Sequence, residues 1–546
     1  MSESLLGFPI DIEATLKHLR QDMRDDWFYD AIRYEDLLSN GKSIHEILSK
    51  NLDNNHGEYK SGKKFVYDVP KRSLGLRYTI EIDFYDRFLY QAICTYLIPF
   101  FDPLLSNRVF SHRYNKHGKA KYLFKHRIEL WSTFENISQL ALVDSKTLLI
   151  TDLINYFEQI SIDSIEKAFI GMIANIDASG SKKNTIRNAV NTLKKLLEKW
   201  CYSNRHGLPQ NRDASSFIAN VVLDSVDKNM VSRGYDYFRY VDDIRIICLD
   251  EYEAKQALNH LIFELRKIGL NINSKKTIIL DKNSNNIEDF FPSSNDTMTI
   301  IDAMWRSRSK RVITRSIPIL FEFLKKQINE EATQGRPFRY CINRIKTLIS
   351  NNLFDSKSIL ENEIVDSLIA EFYKQPVSTD QFCKILIDLD LSTDQLKAIG
   401  DFIVDKKVAI HGWQNYHLIL LMSYKKFEYF PLVDFCKNLM INSINSLEVP
   451  ACFIYLASIG KESEIENIIE FFDDNWSYQH QRHFLIALQN TKPEKLRPMY
   501  GKVCFRLKGT VSRLKQNKNF KENTIYIKDF NTTIIEEIYD EISPYD

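Results

Sequence analysis

The sequence predicts an α+β protein in which a mixed core of strands and helices precedes a long, all-helical region. Two adjacent acids, Asp242 and Asp243, interrupt a run of residues that otherwise favours β-strand, which is typical of a hairpin tip between two strands. A short apolar segment, 148–151, is typical of another strand and ends directly before Asp152. From Ile301 onward apolar residues recur at three- and four-residue spacing, which indicates one helix after another.

Length and composition narrow the class of protein. At 546 residues the chain is too long for one hydrophobic core, so about two to three domains are expected. Charged residues make up 27% and the formal net charge is +1, so nucleic-acid contacts must come from local basic patches. The eight cysteines show no paired spacing, which argues against a zinc site or a disulfide framework. Because the N-terminus lacks a basic leader and the apolar runs are short, we expect a cytoplasmic protein with no membrane partner.

The paired acids predict a metal site. Burying Asp242 and Asp243 at a hairpin tip is costly unless a cation offsets their charge, and oxygen ligands suit Mg²⁺. A two-metal phosphoryl-transfer site needs a third carboxylate on a neighbouring strand, which Asp152 supplies. The alternative for Asp152 is a helix N-cap after the strand, and Asp-Asp turns without a metal are common.

A second hairpin carries two cations. Phe65–Lys71 is predicted to be a strand, 73–75 a turn and Leu76–Ile80 the returning strand. Lys71 and Arg77 then flank the hairpin, where a point charge and a bidentate guanidinium can together grip a triphosphate. The alternative is an ordinary surface hairpin, since many carry Lys and Arg.

The order of three segments resembles the palm of reverse transcriptases. Asp152, the turn Gly207–Asn211 and Tyr240–Asp243 stand in the order of palm motifs A, B and C. Pro70-Lys71 and Arg77 are similar to the fingers motif, although Tyr78 replaces the proline that usually follows the arginine. The resemblance implies the right-hand polymerase fold of fingers and palm. It covers about Phe65–Leu280.

By this resemblance, Asp152, Asp242 and Asp243 hold two Mg²⁺ ions, with Mn²⁺ as the alternative metal. The Tyr156 ring is implied to close against the sugar 2′ position, and Gln210 to lie beside the incoming base. Lys276, in a segment similar to palm motif D, is implied to be the general acid for the departing pyrophosphate. Lys71 and Arg77 are implied to bind the nucleotide phosphates.

Periodicity predicts the remaining elements. A helical lead-in, Ile12–Leu48, is expected to pack its aromatic residues on the core, and a basic strip, Lys60–Arg127, is expected to bind a template. We divide the chain into a lead-in (1–60), fingers and palm (61–295) and a helical, repeat-like domain (296–546). The predicted helices of the last domain are Val312–Ile328, Tyr340–Ile349, Ile364–Tyr373, Gln381–Leu389, Leu396–Val404, Gln414–Met422, Phe430–Met440, Val449–Ile459, Ile465–Phe472 and His480–Gln489.

A reverse transcriptase core followed by a helical region resembles the bacterial abortive-infection and defence-associated reverse transcriptases. That resemblance implies an RNA-directed or template-independent DNA polymerase, a DNA nucleotidyltransferase that uses dNTPs. The same resemblance implies a role in anti-phage defence and assembly as a homo-oligomer. It also implies RNA or single-stranded DNA as partner, with a noncoding RNA and priming from a protein hydroxyl as further hypotheses. Two alternatives remain: a templated enzyme of the retron type, and a catalytically silent RNA-binding scaffold.

Overall fold

The computed structural model describes residues 2–3, 6–72, 75–116, 122–144, 146–284, 287, 291, 294–307, 309–354 and 359–516. The tip of the predicted fingers turn, Ser73 and Leu74, lies outside these residues. No helix in the described part of the chain is both long enough and apolar enough to span a bilayer.

The described residues up to Phe101 form the lead-in, the fingers hairpin and the helix that follows the hairpin. The predicted lead-in helix is interrupted: irregular backbone and a 3₁₀ turn occupy 23–34, where Asp26, Asp30 and their neighbours turn inward to buried arginines instead of continuing the helix. The elements are β1 (Ser2–Glu3), β2 (Ile10–Asp11), α1 (Ile12–Asp22), α2 (Glu35–Leu38), α3 (Gly41–Asn54), β3 (Phe65–Pro70), β4 (Leu76–Glu81) and α4 (Phe84–Phe101).

The palm is built on a four-stranded antiparallel sheet. Its strands are β5 (Thr147–Thr151), β6 (Asp236–Tyr240), β7 (Asp243–Cys248) and β8 (Ile278–Leu280), in the spatial order β6-β7-β5-β8. Apolar residues alternate toward a core shared with the surrounding helices. Those helices are α5 (Arg127–Val143), α6 (Tyr156–Gln159), α7 (Ile162–Ile173), α8 (Gly180–Trp200), α9 (Asp213–Ser232) and α10 (Glu251–Lys267).

In the described part of the chain after the palm, the regular elements are helices joined by loops and 3₁₀ turns. Their bounds are α11 (Ser294–Arg306), α12 (Lys310–Arg315), α13 (Ile317–Asn329), α14 (Arg336–Ser350), α15 (Ile359–Ala370), α16 (Thr379–Leu386), α17 (Thr393–Val404), α18 (Gly412–Lys425), α19 (Phe430–Asn442), α20 (Val449–Ser458), α21 (Glu462–Glu466), α22 (Tyr478–Ala487), α23 (Pro493–Tyr500) and α24 (Thr510–Gln516).

Two of the predicted helices in this region are wrong as single elements. The predicted helix Val312–Ile328 is divided at Ser316, because Pro318 lacks the N–H that an unbroken helix would need. Pro318 instead lies in the first turn of α13, where no such N–H is needed. The predicted helix Ile465–Phe472 ends at Glu466, and only a 3₁₀ turn follows at Ile469–Phe471. Apolar spacing alone does not reveal such breaks, since a 3₁₀ turn buries similar positions.

Buried ion pairs join the helical region to the lead-in and to the start of α4. Arg482 of α22 donates to Asp30 at 2.6 Å and to Asp36 at 2.7 Å, and all three side chains are buried. Arg506 binds Asp83 and Asp86 at the start of α4 at 2.5 and 2.9 Å. A buried charge pair survives only when its geometry is nearly complete, so these contacts fix how the helical region sits on the palm.

Candidate active site

The two adjacent acids lie at a tight hairpin tip, as the sequence predicts. Tyr240 pairs with Asp243, which leaves Val241 and Asp242 as the connecting residues. Val241 has a φ of 55°, a left-handed conformation that is costly for a β-branched residue. Its N–H donates to Ser111 Oγ at 2.9 Å, and its carbonyl accepts from the buried guanidinium of Arg239 at 2.8 Å. These two bonds hold the strained tip in place.

The third acid comes from the neighbouring strand. Strand β5 pairs with β7 so that Thr151 lies opposite Ile244, which brings Asp152 across from Asp243. Asp152 is 5% exposed, and its carbonyl accepts from the Asn273 N–H at 2.6 Å. The N-cap alternative is wrong, because α6 begins later and Asn155, in a left-handed conformation, occupies its N-cap position.

Burial and the repulsion of neighbouring carboxylates both raise the pKa values of Asp242 and Asp243. Burial, together with the charges of Asp152 and Asp243, raises the pKa of Asp242 to about 8. Burial and the charge of Asp152 raise the pKa of Asp243 to about 6, although Arg245 and Lys276 oppose the shift. Three carboxylates in so small a space cannot all ionise easily without a cation.

A lysine ammonium already supplies one positive charge. Lys276 Nζ lies 2.5 Å from Asp152 Oδ2, on an otherwise exposed side chain that can reach the cleft or leave it. In the described part of the chain, no three His, Cys, Asp or Glu side chains stand in a ready-made metal-binding arrangement. The donor set nevertheless fits a hard divalent cation, since it offers only carboxylate oxygens whose mutual repulsion such an ion would relieve. Asp152, Asp242 and Asp243 would hold it.

The fingers cations face this cleft. Lys71 Nζ donates to Asn155 Oδ1, three residues beyond Asp152, at 3.2 Å. The Arg77 guanidinium lies 5.2 Å from the centre of the Trp27 ring. Burial lowers the pKa of Arg77, while the charges of Asp242, Glu158 and Asp152 raise it. Lys71 is thus tied to the segment after Asp152, and Arg77 lies close enough to Asp242 and Asp152 to feel their charge. That the two cations bind a triphosphate stays a prediction.

The turn before α9 is tied to the fingers. Gly207 has a φ of 99°, and a Cβ there would lie 2.5 Å from the Tyr202 ring. Gln210 is 6% exposed and donates to the Tyr78 carbonyl of β4 at 2.9 Å. The predicted contact of Gln210 with an incoming base stays a prediction, and its bond to Tyr78 places it next to the fingers hairpin.

The two aromatic residues after Asp152, Tyr156 and Phe157, differ in how deeply they are buried. The Tyr156 ring is 4% exposed and packs 4.9 Å from Phe157, which is half-buried. The Tyr156 hydroxyl has no hydrogen-bond partner among the described residues. That Tyr156 closes on the sugar stays a prediction, and Phe157 is the more accessible ring of the two.

Sequence reasoning missed a buried ionic network behind the site. Arg212 donates to Asp26 at 3.0 Å, to Glu81 at 2.8 and 3.0 Å, and to the Asn211 carbonyl at 2.9 Å. Arg87 binds Asp22 at 2.8 Å and Asp26 at 2.5 Å. The signal in the sequence was the acids of the lead-in, Asp22 and Asp26. Their partners lie far away in the chain, so local patterns could not assign them.

A family model identifies this core. Residues 91–289, just over a third of the chain, match the reverse transcriptase (RNA-dependent DNA polymerase) family. Those residues form a reverse transcriptase domain. The predicted fold class is thereby confirmed, with a reverse transcriptase-like core of mixed helix and sheet followed by helices. The domain is that of a DNA nucleotidyltransferase with RNA-directed DNA polymerase activity, and such domains use divalent metal ions.

The three acids and Lys276 lie inside the matched residues, whereas Lys71 and Arg77 precede them. No curated protein matches the chain at a significant level. Two similar solved structures are a telomerase from Candida albicans in complex with a TWJ fragment of telomeric RNA and an apo telomerase from Candida tropicalis. The first has a TM-score of 0.31 and 10% identity, with 70% of each chain covered. The second has a TM-score of 0.31 and 12% identity, with 76% of this chain and 74% of that chain covered.

Proposed function

We propose that this protein is a magnesium-dependent DNA polymerase that builds DNA from dNTPs in anti-phage defence. The observation that carries the polymerase part is the convergence of Asp152, Asp242 and Asp243 from two neighbouring strands of the reverse transcriptase domain. Their crowding costs free energy unless cations bind there, and a nucleotidyl transfer site needs such a cluster of carboxylates.

The reaction is attack of a hydroxyl oxygen on the α-phosphate of a dNTP. A new O–P bond forms as the bond to the β-phosphate oxygen breaks, and pyrophosphate leaves. Asp152, Asp242 and Asp243 would hold divalent ions, which would supply Lewis-acid stabilisation of the charge that develops during phosphoryl transfer. Arg77 and Lys71 offset the triphosphate charge from the fingers side. Lys276 Nζ, once it leaves Asp152, lies within reach of the cleft and can protonate the departing pyrophosphate.

The proposed role in anti-phage defence rests on the order of the domains along the chain. A reverse transcriptase domain followed by helices from Ser294 to Gln516 is similar to the defence-associated enzymes. We therefore propose that an RNA, for which a noncoding RNA is the leading candidate, binds the basic strip and that copies of the chain assemble into a homo-oligomer. Part of that strip is neutralised internally, since Arg113 binds Asp102 at 2.9 Å and Arg127 binds Asp213 at 2.5 Å.

Priming from a tyrosine hydroxyl of the protein itself completes the proposal. The test is incubation of the purified protein with Mg²⁺ and each labelled dNTP, without primer or template, followed by a denaturing gel. Label that stays with the protein and is released by nuclease supports protein priming. Incorporation only after an RNA template and DNA primer are added contradicts protein priming and indicates a retron-type enzyme. No incorporation under either condition contradicts the polymerase and indicates a scaffold.

A further inference from the structure

A small apolar cluster joins the helical region to the fingers hairpin. Phe28 of the lead-in, Val69 of β3 and Trp413 of α18 are buried together, and Trp27 and Tyr67 pack against them. Val69 is the cross-strand partner of Arg77. Cross-strand partners of an antiparallel pair lie side by side on one face, so the helical region supports the hairpin next to the residue that we propose to bind the triphosphate.

The same helix also holds the other side of Arg77. Trp413 Nε1 donates to the Trp27 carbonyl at 2.8 Å, and His417 Nε2 donates to that carbonyl at 2.9 Å. The Trp27 ring in turn faces the Arg77 guanidinium at 5.2 Å, within the range of a cation–π interaction. Because two buried side chains donate to the Trp27 carbonyl, the backbone of Trp27 is fixed. The position from which the Trp27 ring extends toward Arg77 is therefore fixed as well.

We infer that Trp413 is a positioning residue for the nucleotide site, acting through Trp27 and Val69 on Arg77. The guanidinium is on a flexible side chain, and bidentate binding of phosphate requires its plane to be oriented. Trp413 contributes to that orientation in two ways, by packing on Val69 and by fixing Trp27. The inference rests on the proposed function, because it assumes that Arg77 contacts the dNTP phosphates.

The first test compares two tryptophans of the helical region. Trp413→Phe removes the hydrogen bond to Trp27 but keeps an aromatic ring. Trp305→Phe is the matched control: Trp305 is also buried, and its Nε1 donates to Ser316 Oγ at 2.9 Å, with no contact to the lead-in among its described partners. We expect Trp413→Phe to raise the dNTP KM by about fivefold with kcat little changed, the size expected for one hydrogen bond. Trp305→Phe should leave both constants within about twofold of the wild type.

A second variant keeps the inference falsifiable if Trp413→Phe folds poorly. Trp27→Leu removes the ring that faces Arg77 and retains the carbonyl, so the same rise in KM is expected. In the Trp27→Leu background, Trp413→Phe should add less to KM than it does alone, since part of its effect passes through the missing ring. Unchanged KM in both single variants, or equal effects of Trp413→Phe and Trp305→Phe, would overturn the inference.

Arg77→Ala separates this inference from the function on which it rests. If Arg77→Ala raises the dNTP KM while the tryptophan variants do not, Arg77 binds the nucleotide and the positioning role fails. If Arg77→Ala leaves KM unchanged, the proposed role of Arg77 fails, and the positioning role fails with it.

Discussion

Val241 shows how the hairpin tip stores strain at the site. A β-branched residue in the left-handed region costs on the order of 1–2 kcal/mol, and the tip persists because Ser111 and Arg239 hold its N–H and carbonyl. Arg239 is itself fixed by Asp227, at 2.7 and 2.8 Å. The orientation of Asp242 therefore depends on side chains that carry no chemistry themselves.

Removing the Ser111 hydroxyl tests this dependence. Ser111→Ala leaves the Val241 N–H without its partner, so we expect the free energy of unfolding to fall by about 1–2 kcal/mol and kcat to fall as the tip relaxes. Chemical denaturation and a steady-state assay measure the two effects. Ser423→Ala is the control, because Ser423 is an equally buried serine of α18 whose hydroxyl, within the described part of the chain, donates to the Ile419 carbonyl of its own helix. A normal kcat for Ser111→Ala would show that the tip needs no such support.

At the scale of elements, the turn before α9 depends on close packing against a ring. Gly207→Ala combines a left-handed φ with a 2.5 Å approach to Tyr202, whereas Gly234→Ala has a similar φ of 88° and meets no atom within 4 Å. We expect both to lose about 1 kcal/mol from backbone strain, and Gly207→Ala to lose at least about 1–3 kcal/mol more from overpacking. Thermal unfolding of the two variants measures the difference. Equal losses would mean that Tyr202 moves aside freely.

Most elements could be predicted from the sequence because their signals are local. The strands of the fingers hairpin were predicted to within about one residue, since alternation and turn residues mark them. A strand on each side of the Asp242–Asp243 tip was predicted from the same signals. Local patterns placed Asp242 and Asp243 together, whereas Asp152 was assigned to the cluster only because a two-metal site needs a third carboxylate. The breaks at Ser316 and Glu466 escaped prediction because apolar spacing continues across them, even though Pro318 marks the first. The irregular lead-in escaped prediction because tertiary ion pairs override its helical spacing.

At the scale of the whole molecule, the lead-in is held between the palm and the helical region by polar contacts. His483 Nε2 accepts from the Ala31 N–H at 2.9 Å, next to the Arg482–Asp30 pair. Such pairs join residues more than 400 positions apart, so no sequence pattern announces them. The two members of each pair can be identified only in the folded structure, where α22 lies next to the lead-in.

This contact region should be sensitive to acid. Burial lowers the pKa of His417, His480 and His483 to about 4, below the value of about 6.5 that an unfolded histidine has. Between pH 6.5 and 4 the unfolded state therefore binds more protons, and the free energy of unfolding falls as the pH falls. We expect a slope of up to about 1.4 kcal/mol per pH unit for each histidine.

Chemical denaturation across this pH range measures the slope. His480→Gln should lower the slope by up to about 1.4 kcal/mol per pH unit, because glutamine does not titrate. Glutamine can still donate to the Ser446 carbonyl that His480 Nε2 bonds at 2.9 Å, so the fold should be retained. His56→Asn, at an exposed position of the lead-in, should leave it unchanged. A pH-independent stability in the wild type would contradict the burial of neutral histidines.

The central claim is that Asp152, Asp242 and Asp243 form the nucleotidyl-transfer site, and one assay tests it most directly. Purified wild type, Asp242→Asn and Asp236→Asn are compared for dNTP incorporation with Mg²⁺, both without additions and on an RNA template with a DNA primer. Asp236 is the control, since it lies on β6 but is half-exposed and bonds Arg108 at 3.0 Å. We predict that Asp242→Asn folds normally and loses at least about a thousandfold in rate, while Asp236→Asn stays close to the wild type. Incorporation by Asp242→Asn within about tenfold of the wild type would contradict the site.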